Sequence, residues 1–204
     1  MAERQLQARG IRDERVLEAM ASVPRERFVP ERLSKSAYND SALPIGHEQT
    51  ISQPWVVAAI CQALQLSGGE KMLEIGTGSG YSTAVLARLA KRVVSIERIP
   101  ELGEQARRRL EELGVANAEV IVADGSRGYE EEAPYDAIAV HAATPEAPHS
   151  LLAQLDAGGR LVVPIATRSA DLLTAFHLTE EGLRQETIGP CRFVPLLGAE
   201  GFGG

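Results

Sequence analysis

The sequence predicts a doubly wound α/β domain, with a mostly parallel seven-stranded sheet and extra helices at the N-terminal end. Three observations lead there. From Lys71 onward, short runs rich in Val, Ile and Leu alternate with helical patterns of about ten residues or more, the mark of repeated β-α units. A turn with three alternating glycines, Gly76, Gly78 and Gly80, joins the first run to its helix. Glu74, Glu97, Asp124 and His141 stand at the ends of the first four runs, along the edge where parallel sheets bind ligands.

In the front section, which reaches about residue 70, Val16, Leu17 and Met20 recur at helical spacing, and Pro24 ends that helix. Residues 38–52 read as irregular and rich in turn formers. A helix is expected from Pro54 to about Leu66, stopped by Ser67-Gly68-Gly69. Strand Lys71–Ile75 then leads to helix Gly80–Ala90, and strand Val93–Glu97 to helix Pro100–Leu113, with Pro100 suited to the first turn. Glu119–Val122 is a third strand. Tyr135–His141 is a fourth, followed by a helix from about Pro145 to Leu155, and Gly159–Ile165 is a fifth. Leu172–Leu178 and a stretch near Arg192–Leu197 would add two antiparallel strands.

Residues 1–204 are enough for one domain with a full core, divided into a helical front section (1–70) and the α/β section (71–204). Hydrophobic residues make up 44% and charged residues 24%, as in globular proteins. The net charge of −7 offers no general attraction for phosphate backbones, which argues against a nucleic-acid partner. Arg107, Arg108 and Arg109 are followed by Glu111 and Glu112 and read as a solvated helix face. Cys61 and Cys191 have neither disulfide-framework nor zinc-site spacing. Met1 to Gly10 lacks an apolar signal core, and no apolar run nears the ~20 residues of a membrane span. A cytoplasmic monomer is the expectation.

Residues 73–81 read Leu-Glu-Ile-Gly-Thr-Gly-Ser-Gly-Tyr. The glycine spacing is G-x-G-x-G. In the dinucleotide fingerprint G-x-G-x-x-G the last glycine would fall at Tyr81. Such a loop beside an acid suits a cationic, amino-acid-bearing nucleoside better than a pyrophosphate, which points to S-adenosylmethionine. Glu97 lies about 20 residues beyond the first glycine, where an acid accepts from ribose hydroxyls, unless it is half of an ion pair with Arg98. Asp124-Gly125 either accepts from an adenine amino group or is only a turn. Glu74 ends an apolar strand, so a cation is expected beside it. His141 reads as a packed or rim histidine rather than a base, and His47, His149 and His177 share no metal-ligand spacing, so no metal is expected. Ser79 lacks the spacing of a nucleophile elbow, and no phosphate-loop Gly-Lys-Ser/Thr occurs.

Residues 38–54 read Tyr-Asn-Asp-Ser-Ala-Leu-Pro-Ile-Gly-His-Glu-Gln-Thr-Ile-Ser-Gln-Pro. With the glycine loop, this segment resembles the protein-L-isoaspartate (D-aspartate) O-methyltransferase family. The matches are Leu43–Gly46, Gln49–Ser52 with Pro54, Leu73–Tyr81 and Arg192–Leu196, with further likeness at Val23–Glu26, Phe28–Pro30 and Ala142-Ala143 with Pro145-Glu146. The resemblance covers nearly the whole chain, and the T-I-S-x-P segment is its most specific part.

The resemblance implies a Rossmann-like methyltransferase fold. It implies transfer of a methyl group from S-adenosyl-L-methionine to the free α-carboxylate of isoaspartyl and D-aspartyl residues in damaged proteins, leaving S-adenosyl-L-homocysteine. The ester then closes to a succinimide that can reopen to normal aspartate. By the same resemblance Ser52 is catalytic and touches substrate. Thr50, Ile51 and Gln53, the loop Gly76, Thr77, Gly78 and Ser79, and Glu74, Glu97, Asp124 and Gly125 hold the cofactor, while Val194, Pro195 and Leu196 pair by backbone with the substrate peptide. Two departures stand out: Glu48 replaces a family glycine, and Trp55 replaces a His or Tyr but is expected still to pack on the cofactor. Ser52 has a second reading, since it stands two residues before Pro54, where a helix-capping serine belongs. Competing functions are a relative acting on aspartate in a dedicated peptide, a non-catalytic isoaspartyl-binding adaptor, and a dinucleotide oxidoreductase.

Overall fold

The computed structural model describes residues 2–203; Met1 and Gly204 lie outside it. The front section begins with α1 (Ala2–Ala8), which periodicity did not single out, and α2 (Glu14–Ser22). The Asp13 carboxylate caps α2 by accepting from the Arg15 and Val16 N–H groups. Two 3₁₀ turns follow, Arg25–Phe28 and Glu31–Ser36.

The segment read as irregular contains a small antiparallel hairpin, β1 (Leu43–Gly46) and β2 (Gln49–Ile51). His47 and Glu48 form its tip with φ of 51° and 58°. Two successive non-glycine residues in the left-handed region are not a turn signal that sequence reading recognises. Helix α3 (Pro54–Leu64) ends just before Gln65, which is left-handed at φ 50°.

The β-α repeat is β3 (Lys71–Ile75), α4 (Tyr81–Leu89), β4 (Arg92–Glu97), α5 (Pro100–Glu112), β5 (Ala118–Val122), β6 (Tyr135–Val140), α6 (His149–Ala153) and β7 (Leu155–Ala166). The last two strands are β8 (Asp171–Thr179) and β9 (Gly182–Cys191). The sheet runs β5-β4-β3-β6-β7-β8-β9, parallel from β5 through β7 and antiparallel across β8 and β9. Its order reverses between β3 and β6, so the glycine loop lies at the switch point.

Three expectations need correction. The seventh strand is Gly182–Cys191, while Arg192–Leu197 is an extended segment held by an isolated bridge from Pro195 to Ala143. The expected Pro145–Leu155 helix shrinks to five residues, because Pro145 and Pro148 break its start and Leu155 already pairs with Tyr135. His141 lies one residue past the end of β6.

The central strands are buried on both faces, and alternate residues serve two cores. Met72, Val93, Ala137, Ala139 and Val162 pack with α2, α3 and α4 on one side. Leu73, Ile75, Val94, Ile96, Ile138 and Val140 pack with Leu151 of α6 on the other. This double burial fixes the register and therefore the positions of the strand ends.

Candidate active site

A cleft of about 270 Å³ opens at the carboxyl edge of the sheet. Its floor is the glycine loop, from Gly76 to Ser79. One wall is the hairpin with residues 48–52, and the other is the segment from Val194 to Leu197. Glu97, Arg98, Ile99, Gly125 and His141 also line the cleft.

The loop is shaped by its glycines. Gly76, Gly78 and Gly80 all have positive φ, between 55° and 95°. A Cβ on Gly76 would approach His141 Cβ to 3.3 Å, and one on Gly80 would approach Ala106 Cβ to 3.2 Å. The loop thus sits close against His141, just past β6, and against Ala106 of α5, so a side chain at either point would push its neighbour aside by a few tenths of an ångström.

Glu74 lies beneath this loop, fully buried and outside the cleft lining. Its Oε2 accepts from Thr83 Oγ1 at 2.5 Å and Ser95 Oγ at 2.6 Å. Thr77 Oγ1 lies 2.5 Å from Ser95 Oγ, whose one proton is already given to Glu74, so Thr77 donates. The carboxylate therefore ties β3, β4, α4 and the loop together. Among the described residues its Oε1 makes no hydrogen bond; it lies 3.2 Å from His141 Nε2. The same Nε2 is 2.9 Å from Ser82 Oγ. Serine and glutamate share one ring nitrogen, which excludes a Ser-His-Glu relay, since a relay needs the two ring nitrogens engaged separately.

Glu97 lines the cleft at the end of β4. Its Oε2 accepts from the Gly78 N–H at 2.7 Å and its Oε1 from the Ile99 N–H at 2.9 Å. It makes no ion pair with Arg98 among the described residues. Each oxygen keeps a lone pair for a further donor. Asp124 is exposed and outside the lining, while Gly125 lies within it. Asp124 Oδ1 accepts from the Ser126 N–H at 2.9 Å and caps a 3₁₀ turn. Burial works to raise its pKa; the bonds from Ser126 and Ala199 and the nearby Arg127 charge more than offset this, leaving it below the usual value.

Thr50, Ile51 and Ser52 line the cleft, and Gln53 does not. Gln53 is the N-cap residue of α3, with no side-chain cap. The capping role weighed for Ser52 is therefore not the one it has: its hydroxyl makes no hydrogen bond among the described residues. Trp55 departs from expectation too. Its ring packs under the Arg9 guanidinium at 4.3 Å and its Nε1 donates to the Arg9 carbonyl, outside the cleft.

Val194, Pro195 and Leu196 all line the cleft. The Val194 carbonyl accepts from the Ala143 N–H at 2.8 Å, and the Leu196 N–H donates to the Ala143 carbonyl at 2.7 Å. The Leu196 carbonyl accepts from Phe202. The Pro195 carbonyl and Leu197 N–H carry no bond among the described residues, and strand alternation turns them away from Ala143.

The family model described as protein-L-isoaspartate(D-aspartate) O-methyltransferase (PCMT) matches residues 2–201. The chain belongs to this family. It is 54% identical over 204 residues to protein-L-isoaspartate O-methyltransferase 1 of Syntrophobacter fumaroxidans, covering 100% of this chain and 95% of that one. Among solved structures, a protein-L-isoaspartate O-methyltransferase superposes with a TM-score of 0.82 at 32% identity, over 93% of this chain and 62% of the other. A Plasmodium falciparum protein, proposed to be such an enzyme and solved in complex with S-adenosyl-L-homocysteine, gives 0.81 at 26% identity over 94% of each chain.

Ser82 and Arg98, which also line the cleft, and Arg25, which supports its wall, are not among the site residues expected from the sequence. Arg25 is fully buried. Its Nε donates to the Ala37 carbonyl at 2.7 Å, its Nη2 to the Ser52 carbonyl at 2.8 Å, and its guanidinium lies 4.7 Å over the Tyr81 ring. A charged residue in a polar segment carries no signal of such burial. Among the described residues no group of three or more His, Cys, Asp or Glu side chains could hold a metal ion, and no helix is long and apolar enough to cross a membrane.

Proposed function

We infer that this protein is an S-adenosylmethionine-dependent protein-L-isoaspartate O-methyltransferase. It methylates the free α-carboxylate of isoaspartyl residues in damaged proteins and so begins their repair through a succinimide. The observation that carries the reading is the cleft itself. In a chain of this family, the glycine loop and the Thr50–Ser52 wall face one cavity at the switch point of the sheet.

The donor set fits S-adenosylmethionine. Glu97 has spare lone pairs for two ribose hydroxyls, Ile75, Ile96 and Ile99 give an apolar bed, and the loop leaves main chain rather than side chains against the ligand. When bound, the cofactor supplies a methyl carbon activated by sulfonium charge. Gly76, Thr77, Gly78 and Ser79 would cradle it and Gly125 would meet the adenine, with Asp124 as acceptor at the rim. Thr50 and Ile51 would close over it, with Gln53 behind them. Glu74 acts through the loop it holds.

The substrate carboxylate, with an ordinary pKa near ~4, is ionised at pH 7, so no strong general base is needed. The chain's task is to position that carboxylate and exclude water, which supplies several kcal/mol. Ser52, whose hydroxyl is not committed elsewhere, donates to it and orients it. The peptide main chain pairs with the Pro195 carbonyl and the Leu197 N–H. This moves the pairing expected for residues 194–196 to the free side of the same segment. The reading extends to a single domain, a monomer and the cytoplasm.

Methyl transfer from labelled S-adenosylmethionine to an isoaspartyl peptide and its aspartyl isomer tests the function. Label in the isoaspartyl peptide alone is expected. Equal labelling of both would favour a methyltransferase of ordinary aspartate, and labelling of neither would remove the reading.

A further inference from the structure

Glu48 stands at the hairpin tip with φ of 58°, a conformation that costs a side-chain-bearing residue roughly 1 kcal/mol or more relative to glycine. The residue is exposed and lines the cleft, and its carboxylate has no ion-pair or hydrogen-bond partner among the described residues. The other charged residues of the lining are Glu97, whose oxygens already accept two main-chain N–H groups, and Arg98, which makes no ion pair with Glu48; His141 faces Glu74 and Ser82. Glu48 is thus an uncompensated negative charge on the wall that meets the substrate, two residues from Thr50 and four from Ser52. The nucleophile that must enter is itself an anion. A second negative charge on the same peptide raises the cost of entry, and a positive one lowers it.

We propose that Glu48 selects among isoaspartyl peptides, favouring those with a lysine or arginine beside the damaged residue. The inference rests on the activity proposed above and names the substrate class within it. A unit charge about 8 Å from Glu48 in a water-exposed setting alters apparent affinity about twofold in either direction, so a lysine-flanked peptide leads its glutamate-flanked counterpart by about fivefold. Salt at about 1 M shortens the screening length to about 3 Å and flattens the difference.

The net charge of −7 would also favour cationic peptides, so the test must separate the local charge from the global one. Two isoaspartyl peptides differing only in Lys or Glu flanks are assayed for kcat/KM with the wild type, Glu48→Gln and Glu130→Gln. Glu130 is exposed and lies before the start of β6, at the opposite edge of the sheet. Binding of the same peptides in the presence of S-adenosylhomocysteine is followed by calorimetry. The expected result is a lysine preference of about fivefold in the wild type and Glu130→Gln, falling to about twofold or less in Glu48→Gln in both readouts. An unchanged ratio in Glu48→Gln, or an equal fall in both variants, overturns the proposal. If the wild type methylates neither peptide, the activity reading falls and this inference falls with it.

Discussion

Arg25 donates from Nη2 to the main-chain carbonyl of Ser52 at 2.8 Å, while its guanidinium lies over the ring of Tyr81, the first residue of α4. One buried cation therefore spans the wall that carries Ser52 and the helix that follows the glycine loop. Burial lowers its pKa from the ordinary value, but the group stays cationic.

Removing that cation should loosen the site from behind. Arg25→Met leaves the Ala37 and Ser52 carbonyls without their donor. We expect a loss of about 3 kcal/mol in urea unfolding, together with a fall in turnover. Arg25→Lys keeps the charge but not the fork, and should fall between the two.

Ser52→Ala should behave in the opposite way. Gln53, not Ser52, is the N-cap residue of the helix behind it, and among the described residues the Ser52 hydroxyl bonds to no main-chain group. Unfolding free energy should change by less than about 0.5 kcal/mol, whereas kcat for an isoaspartyl peptide should fall at least about tenfold. Matching losses in stability and turnover would return Ser52 to a structural role.

Much of this could be read from the chain. The alternation of apolar runs from Lys71 placed the parallel strands to within a few residues, because the central ones are buried on both faces and tolerate little else. The glycine loop was legible because its geometry needs glycine. The hairpin was not, since His47 and Glu48 adopt glycine-like angles without being glycine. The exposed residues of β9 conceal a strand whose identity comes only from pairing with β8. The contacts of Arg25 with Ser52 and of Glu74 with His141 join residues far apart in sequence, so no local pattern encodes them.

Stability should fall in acid in a way that traces partly to Glu70. Burial works to raise its pKa, but the Ser67 hydroxyl and the N–H groups of Ser67 and Gly68 all donate to it and bring it down to about 2 from 4.5. A carboxyl group with a depressed folded pKa adds stability above its unfolded value and loses it as pH falls through the folded one. The contribution should be full above about 4.5 and gone below about 2. Because the group is largely solvated, it should stay under about 1 kcal/mol. Urea unfolding across that range should show a shallower slope for Glu70→Gln; an identical slope would remove Glu70 from the account.

Both thiols should resist alkylation while the chain is folded. Burial pushes the Cys61 pKa up, with the Glu74 charge adding to it; burial and then the Asp171 charge raise Cys191 to about 12. Little thiolate exists at pH 8, so a thiol reagent should react slowly with the native protein and take up two equivalents in urea. Fast reaction at Cys191 in the native state would show that the end of β9 opens readily.

A crystal structure with S-adenosyl-L-homocysteine and an isoaspartyl peptide bears most directly on the central claim. The adenosine should lie along Gly76 to Ser79 with its ribose on Glu97, and the peptide α-carboxylate should stand within hydrogen-bond reach of Ser52 Oγ. Adenosine bound anywhere else, or a peptide carboxylate held away from residues 50–52, would contradict the account.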